Sequence, residues 1–177
     1  MQVDVGGKAV NVASCLSDFG VIRTAVTGQI GRDNAALFEE LFQRKKIANH
    51  CCYLDGLTRI NTKLVDTVSG DTTDLNMPGP EFTRPPLRIC WTRCCERLDR
   101  LVATCDGWCC PAVCRRECRA DTYATITRQV QAAGGAVLLD TSGAPLKAAL
   151  AAGPKIVKPN RHELAELVRS AARHSRR

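Results

Sequence analysis

The stretch AVLLD at residues 136–140 constrains the fold more than any other part of the chain. It is a continuous apolar run of strand length, with Gly134-Gly135 before it and Thr141-Ser142-Gly143 after it. A strand that is apolar on both faces must be covered on both faces. Strands covered in this way by crossover helices run parallel. Helical patterns flank this one, over residues 121–133 and 143–152, the second stopped by Gly153-Pro154. Residues 155–158 then read as a second strand, and Asn160 caps a helix beginning RHELAELV.

The first half of the chain alternates in the same way. Residues 7–19 predict a helix with Val10, Ala13, Leu16 and Phe19 on a mixed face and Gly20 as its stop. A short strand follows at 24–28. Asp33 is expected to cap a helix through Lys45, with Leu37, Leu41 and Phe42 near one face. Residues 58–66 alternate like a strand, Ser69-Gly70-Asp71 turns, and 72–76 return as its partner, with Met77-Pro-Gly-Pro ending the unit. The expected class is α/β with a largely parallel sheet.

Composition narrows the function. With 177 residues, 45% hydrophobic and 24% charged, the chain is globular and of one-domain size, though only 5% aromatic. No apolar run approaches the roughly 20 residues of a membrane span. Residues 1–4 carry no secretory pattern, so a cytoplasmic protein with no membrane partner is expected.

Net charge is +7, and it is uneven. Residues 84–119 hold eight Arg, no Lys and four acids, and residues 169–177 hold four Arg and no acid. Eight of the 11 cysteines lie between Cys90 and Cys118. Such a segment raises the alternative of a Cys/Arg-rich module binding metal or nucleic acid. The spacings argue against zinc: Cys90 and Cys94, Cys105 and Cys109, Cys110 and Cys114, and Cys114 and Cys118 are each four apart. No CxxC occurs and no His lies in the segment. No fold that reads nucleic acid accompanies the arginines, so no nucleic-acid partner is expected.

Three motifs carry chemistry. Gly6-Gly7-Lys8 with Asn11 opens a helix, where glycines admit a ligand to the backbone and the helix end favours anions. A glycine turn before an ordinary helix would look the same. The run 58–63, TRINTK, places Arg59, Asn61 and Lys63 on one strand face, a set suited to a phosphate but also to a solvated face. The run 158–164, KPNRHEL, puts Asn160 and Glu163 three apart after a strand. They suit a nucleotide's phosphates with Mg²⁺, and equally a capping box.

In this order the chain resembles the PfkB (ribokinase-like) carbohydrate kinases, in the branch of 1-phosphofructokinase and tagatose-6-phosphate kinase. The residues are GGKAVNVASCLSDFG (6–20), TGQIGRDN (27–34), TRINTKLVD (58–66), GDTTDLNMPGP (70–80), LLDTSG (138–143) and KPNRHEL (158–164). The resemblance implies a three-layer α/β/α sandwich, present here in part over residues 1–168. It implies transfer of the γ-phosphate of ATP to a sugar phosphate, fructose 1-phosphate giving fructose 1,6-bisphosphate. Gly6, Gly7 and Asn11 would contact sugar hydroxyls, and Arg59 and Lys63 the substrate phosphate. Lys158, Asn160 and Glu163 would serve ATP, with Glu163 reaching Mg²⁺ indirectly. The partners would be sugar phosphate and ATP, and a homo-oligomer is compatible with the family.

The resemblance also leaves gaps. The family's NPAxD strand would precede Met1, and its GAGD motif with the catalytic Asp would follow residue 168. Neither occurs in the 177 residues. Ala9 and Lys46 stand where the family usually has Gly. Where a buried strand should enter a GSLP turn, the chain reads GWCCPAVCRREC. Cysteine codons are TG followed by T or C, so reading from each third base turns them into Val, Leu or Met codons. Over residues 107–120 that offset permits VVLPGSLPPGVPA, which contains the missing turn. Residues 84–95, 107–119 and the basic tail 169–177 are therefore read as out of frame. Arg115, Arg116 and Glu117 are expected to spoil a central strand, and the 177 residues are expected to fold marginally and to be inactive.

Overall fold

The computed structural model describes residues 3–77, 101, 107–111 and 121–174. They divide into two compact units. One contains residues 3–6 and 13–77; the other contains 7–12 and the described residues from 101 onward. The sequence expectations for 78–80, 84–95 and 112–120 fall outside the described residues.

Helix α1 (Lys8–Asp18) spans both sets of residues. It ends as its sequence predicts. Gly20 takes φ 82°, its N–H bonds Ser17 O at 3.0 Å, and Val21 N–H bonds Leu16 O at 3.0 Å. This paired closure needs a left-handed residue, which glycine supplies without a Cβ clash. Val10 and Ala13 are buried, whereas Leu16 and Phe19 are exposed, so the apolar face is shorter than the sequence suggested.

In the first unit, β1 (Thr24–Val26) pairs parallel with β3 (Ile47–Asn49), and β2 (Gln29–Gly31) pairs parallel with β4 (Cys52–Leu54). The crossover is α2 (Ala35–Arg44), as parallel pairing requires. Asp33 does not cap it. Residues 32–34 form a 3-10 turn, Asn34 holds the cap position, and no side chain caps the helix. The buried face is Ala35, Phe38, Leu41 and Phe42, and Leu37 is exposed. Phe38 faces inward in place of Leu37, and the rings of Phe38 and Phe42 lie 6.4 Å apart. Past the helix end, Lys46 takes φ 54°, a left-handed conformation in a non-glycine residue.

Strands β5 (Asn61–Val65) and β6 (Thr72–Asn76) form the expected antiparallel hairpin, and all ten residues are exposed. The expected strand over 58–66 is shorter than predicted, and Arg59 precedes it rather than lying on it.

In the second unit, β7 (Gly107–Pro111), β8 (Ala136–Asp140) and β9 (Ile156–Val157) form a parallel sheet in that order. Helices α3 (Thr122–Ala132) and α4 (Gly143–Leu150) are its crossovers, and α5 (Arg161–His174) follows β9. Trp108, Val137, Leu139 and Val157 pack with Ile126, Val130, Leu146 and Ala149. Leu139 and Val137 are 0% and 1% exposed, each contributing roughly 1.5–3 kcal/mol of apolar burial. The strand expected to be spoiled is present over Gly107–Pro111, ahead of the three charged residues 115–117, which lie outside the described residues. A parallel ladder needs backbone groups only, so an unusual sequence can still occupy it.

Candidate functional site

Pleat parity sorts the second sheet into two faces. Trp108, Val137, Leu139 and Val157 take the helix-covered face. Cys109 is in register with Leu138, and Leu138 with Ile156, which puts Asp140 on the opposite face at the last position of β8. Ligands of parallel sheets gather at this carboxyl edge.

Asp140 is 8% exposed, and two cations reach it. Its Oδ1 accepts from Lys8 Nζ at 3.1 Å and lies 3.4 Å from Lys158 Nζ. Lys8 comes from the first residue of α1. Lys158 follows β9, with its N–H bonded to Leu139 O at 2.9 Å. Both ammonium groups keep substantial exposure, 47% and 64% of their side chains. Two cations held by one carboxylate leave a net positive group open to solvent, which suits a phosphate. Cys109 feels the same charges. Burial pushes its thiol up, the Asp140 carboxylate adds to the effect, and the Lys158 ammonium opposes it.

Just beyond, the N-terminus of α5 is closed by its own side chains. Asn160 Oδ1 accepts from the N–H groups of His162 and Glu163, both at 2.9 Å, and Glu163 Oε2 accepts from Asn160 N–H at 2.7 Å. This is the reciprocal capping box that the spacing predicted. It occupies the groups that the functional reading assigns to nucleotide and Mg²⁺. Among the described residues no group of three His, Cys, Asp or Glu is placed to hold a metal ion.

Gly7, Asn11, Lys158, Asn160 and Glu163 belong to the second unit, and Gly6, Arg59 and Lys63 to the first. A Cβ built on Gly6 or Gly7 meets nothing within 4 Å, and Gly7 takes φ 127°, so open backbone adjoins Lys8. Asn11 is exposed, its N–H bonded to Gly7 O at 2.8 Å. Lys63 pairs across the hairpin with Asp74 at 3.0 Å. Arg59 is exposed and joins no ion pair among the described residues; it stands directly after Thr58, whose main chain is bonded to Asn34.

The sequence pattern of the pfkB family carbohydrate kinases matches residues 1–175. The chain belongs to the PfkB carbohydrate kinase family. A 1-phosphofructokinase of Xanthomonas campestris pv. campestris is 42% identical over 165 residues, covering 91% of this chain and 50% of the relative. A 1-phosphofructokinase of Rhodobacter capsulatus is 40% identical over 185 residues, covering 97% of this chain and 56% of the relative. The chain thus spans about half the length of the curated relatives it matches. Among solved structures, a protein described as a possible 1-phosphofructokinase from Thermotoga maritima aligns with a TM-score of 0.76 at 23% identity, over 90% of this chain and 52% of the other. Phosphofructokinase-2 from Escherichia coli in complex with fructose 6-phosphate aligns with a TM-score of 0.73 at 23% identity, over 93% and 52%. The fold is therefore ribokinase-like α/β.

Two residues of the site carried no role in the sequence reading. Lys8 and Asp140 both lie inside motifs quoted for the resemblance, but they are 132 positions apart in the chain. The only local hint was an acid closing a buried strand.

Proposed function

We propose that this PfkB-family chain carries binding elements of an ATP-dependent sugar-phosphate kinase, with fructose 1-phosphate as acceptor and fructose 1,6-bisphosphate as product. The observation that carries this reading is the convergence of Lys8 and Lys158 on Asp140 at the carboxyl edge of a parallel sheet. The relatives named 1-phosphofructokinase support the choice of acceptor.

Each group has a task in this reading. The open backbone at Gly6 and Gly7, with the Asn11 amide, receives sugar hydroxyls. Arg59 and Lys63 neutralise the phosphate already on the sugar, Lys63 exchanging its Asp74 partner for it. Lys158 meets the phosphates of ATP, and Asp140 keeps both lysines in place until a phosphate displaces it. Phosphoryl transfer depends on such positioning and charge neutralisation.

The described residues fit a nucleotide's phosphates better than a protein-held metal, because Asn160 and Glu163 are committed to each other. Mg²⁺, when bound with the nucleotide, neutralises charge on the phosphates, which hold it more than the protein does. Glu163 would then serve it indirectly.

No GAGD sequence occurs in the 177 residues. Taken alone, they bind the sugar phosphate without turning it over. Calorimetric titration of the 177-residue chain tests this. Saturable binding of fructose 1-phosphate, tighter than inorganic phosphate, is expected, with no ATP-dependent bisphosphate in a coupled assay. Equal binding of the two ligands, or none, would overturn the acceptor reading. Measurable product would overturn the inactivity.

A further inference from the structure

The motif TGQIGRDN has no role in the reading above, and the first unit gives it one. The carboxamide of Asn34 bonds both main-chain groups of one residue. Its Oδ1 accepts from Thr58 N–H at 2.8 Å, and its Nδ2 donates to Thr58 O at 3.0 Å. A third bond joins the same two segments, Gly31 N–H to Thr58 Oγ1 at 2.8 Å. A fourth lies beside it, Asp33 N–H to Gly56 O at 3.2 Å.

Thr58 is thus held as a neighbouring strand would hold it, but by a side chain. The chemistry demands an amide of this length. A carboxylate could accept from the N–H but would face the carbonyl oxygen with no proton to offer, and an alanine would leave both groups bare. Gly31 is part of the same device. A Cβ there would overlap the backbone of Gly56, Leu57 and Thr58, so only glycine lets the two segments approach this closely.

The clamp decides where Arg59 stands. Thr58 is fixed on one side, and on the other the hairpin ladder begins at Asn61, opposite Asn76. Arg59 therefore projects from a short span tethered at both ends, although it lies in no strand. We propose that Asn34 and Gly31 are positioning residues that hold the Thr58 main chain so that Arg59 is presented, already ordered, to the phosphate of the sugar phosphate. This rests on the reading of Arg59 given above. Ordering the span before binding removes an entropic cost that a free loop would meet on binding.

The test uses the full 177-residue chain with fructose 1-phosphate, in wild type, Asn34→Asp, Arg59→Ala and the double variant. Asn34→Asp should weaken binding about tenfold, the scale of one lost charge-directed contact. Arg59→Ala should weaken it at least as much, and the double variant no further than Arg59→Ala alone. Asn34→Ala, which bares the Thr58 N–H, should quicken amide exchange there while exchange in α3 and β8 stays as in wild type. Gly31→Ala should reproduce both effects if Asn34→Asp fails to fold.

Unchanged affinity in Asn34→Asp overturns the proposal. So does a loss that persists in full on the Arg59→Ala background, because the amide would then act through the fold at large. If Arg59→Ala binds like wild type, or wild type does not bind, the substrate reading of Arg59 fails and the proposal falls with it. Quickened exchange at Thr58 would then still mark the clamp as structural, which keeps the two failures apart.

Discussion

Lys8 Nζ lies 3.1 Å from Asp140 Oδ1, although the two residues are 132 positions apart in the chain. Lys158 approaches the same oxygen at 3.4 Å. The carboxylate is nearly buried and the lysines are not, so the pairing is asymmetric. Removing the acid leaves two neighbouring cations, whereas removing either lysine leaves a pair.

Asp140→Ala should therefore lower stability by about 1–2 kcal/mol, less than a fully buried pair would lose because both ammonium groups reach water. Urea unfolding measures this. Inorganic phosphate should restore more stability to the variant than to wild type, since it replaces the missing charge. A phosphate effect no larger than in wild type would remove this cluster from consideration as an anion site.

Lys46 is a second point of tension. Its φ of 54° places a side chain where the left-handed backbone disfavours one. Lys46→Gly should raise stability by roughly 0.5–1 kcal/mol despite the added freedom of the unfolded chain. A lower urea midpoint would show that the Lys46 side chain contributes more than its conformation costs.

Among the described residues, the buried indole Nε1 of Trp108 has no hydrogen-bond partner. An unmet buried donor costs about 1–3 kcal/mol. Phenylalanine keeps an aromatic ring in the core and removes the donor. Trp108→Phe should gain about 1 kcal/mol, the donor penalty outweighing the apolar area given up. A loss of similar size would mean that the larger ring is the better filler of this site.

Cys109 reports on the charges around it. Its thiol is raised first by burial and then by Asp140, so half-maximal alkylation should come at a higher pH than for an unperturbed thiol. Asp140→Asn should bring that midpoint down, and Lys158→Ala should move it up. Peptide-resolved mass spectrometry separates this cysteine from the others. The sign for stability follows: the contribution is complete below the unfolded thiol's pKa and is lost as pH rises towards the folded value. Identical midpoints in all three proteins would place Cys109 outside the field of the cluster.

Much of this arrangement was legible in the sequence where the cause is local. AVLLD, the Gly20 closure of α1, the Asn160–Glu163 cap and the hairpin return at 72–76 all depend on neighbours within a few residues, and all are present. The errors arose where distant contacts decide. Asn34 spends its side chain on Thr58, which leaves α2 without a side-chain cap, and the buried face of α2, with Phe38 in place of Leu37, is set by what the helix packs against. The same bonds hold Arg59 off the strand that alternation assigned it. Strand β2, three residues long, is too short to show a period of two. The family was readable from ordered motifs, but the partnership of Lys8 with Asp140 needed the folded chain.

The hairpin of β5 and β6 has a consequence of its own. Strands usually find their alignment because a slip by one residue would turn an oily face towards water. Here both faces are already wet, so burial gives no such instruction. What distinguishes the observed alignment is the turn, where Asp66 Oδ1 accepts from Val68 N–H at 2.8 Å, and the ion pair of Lys63 with Asp74 directly opposite. The alignment of the residues that follow Arg59 thus rests on a turn and a charge pair rather than on grease, and concentrated salt screens the charge pair.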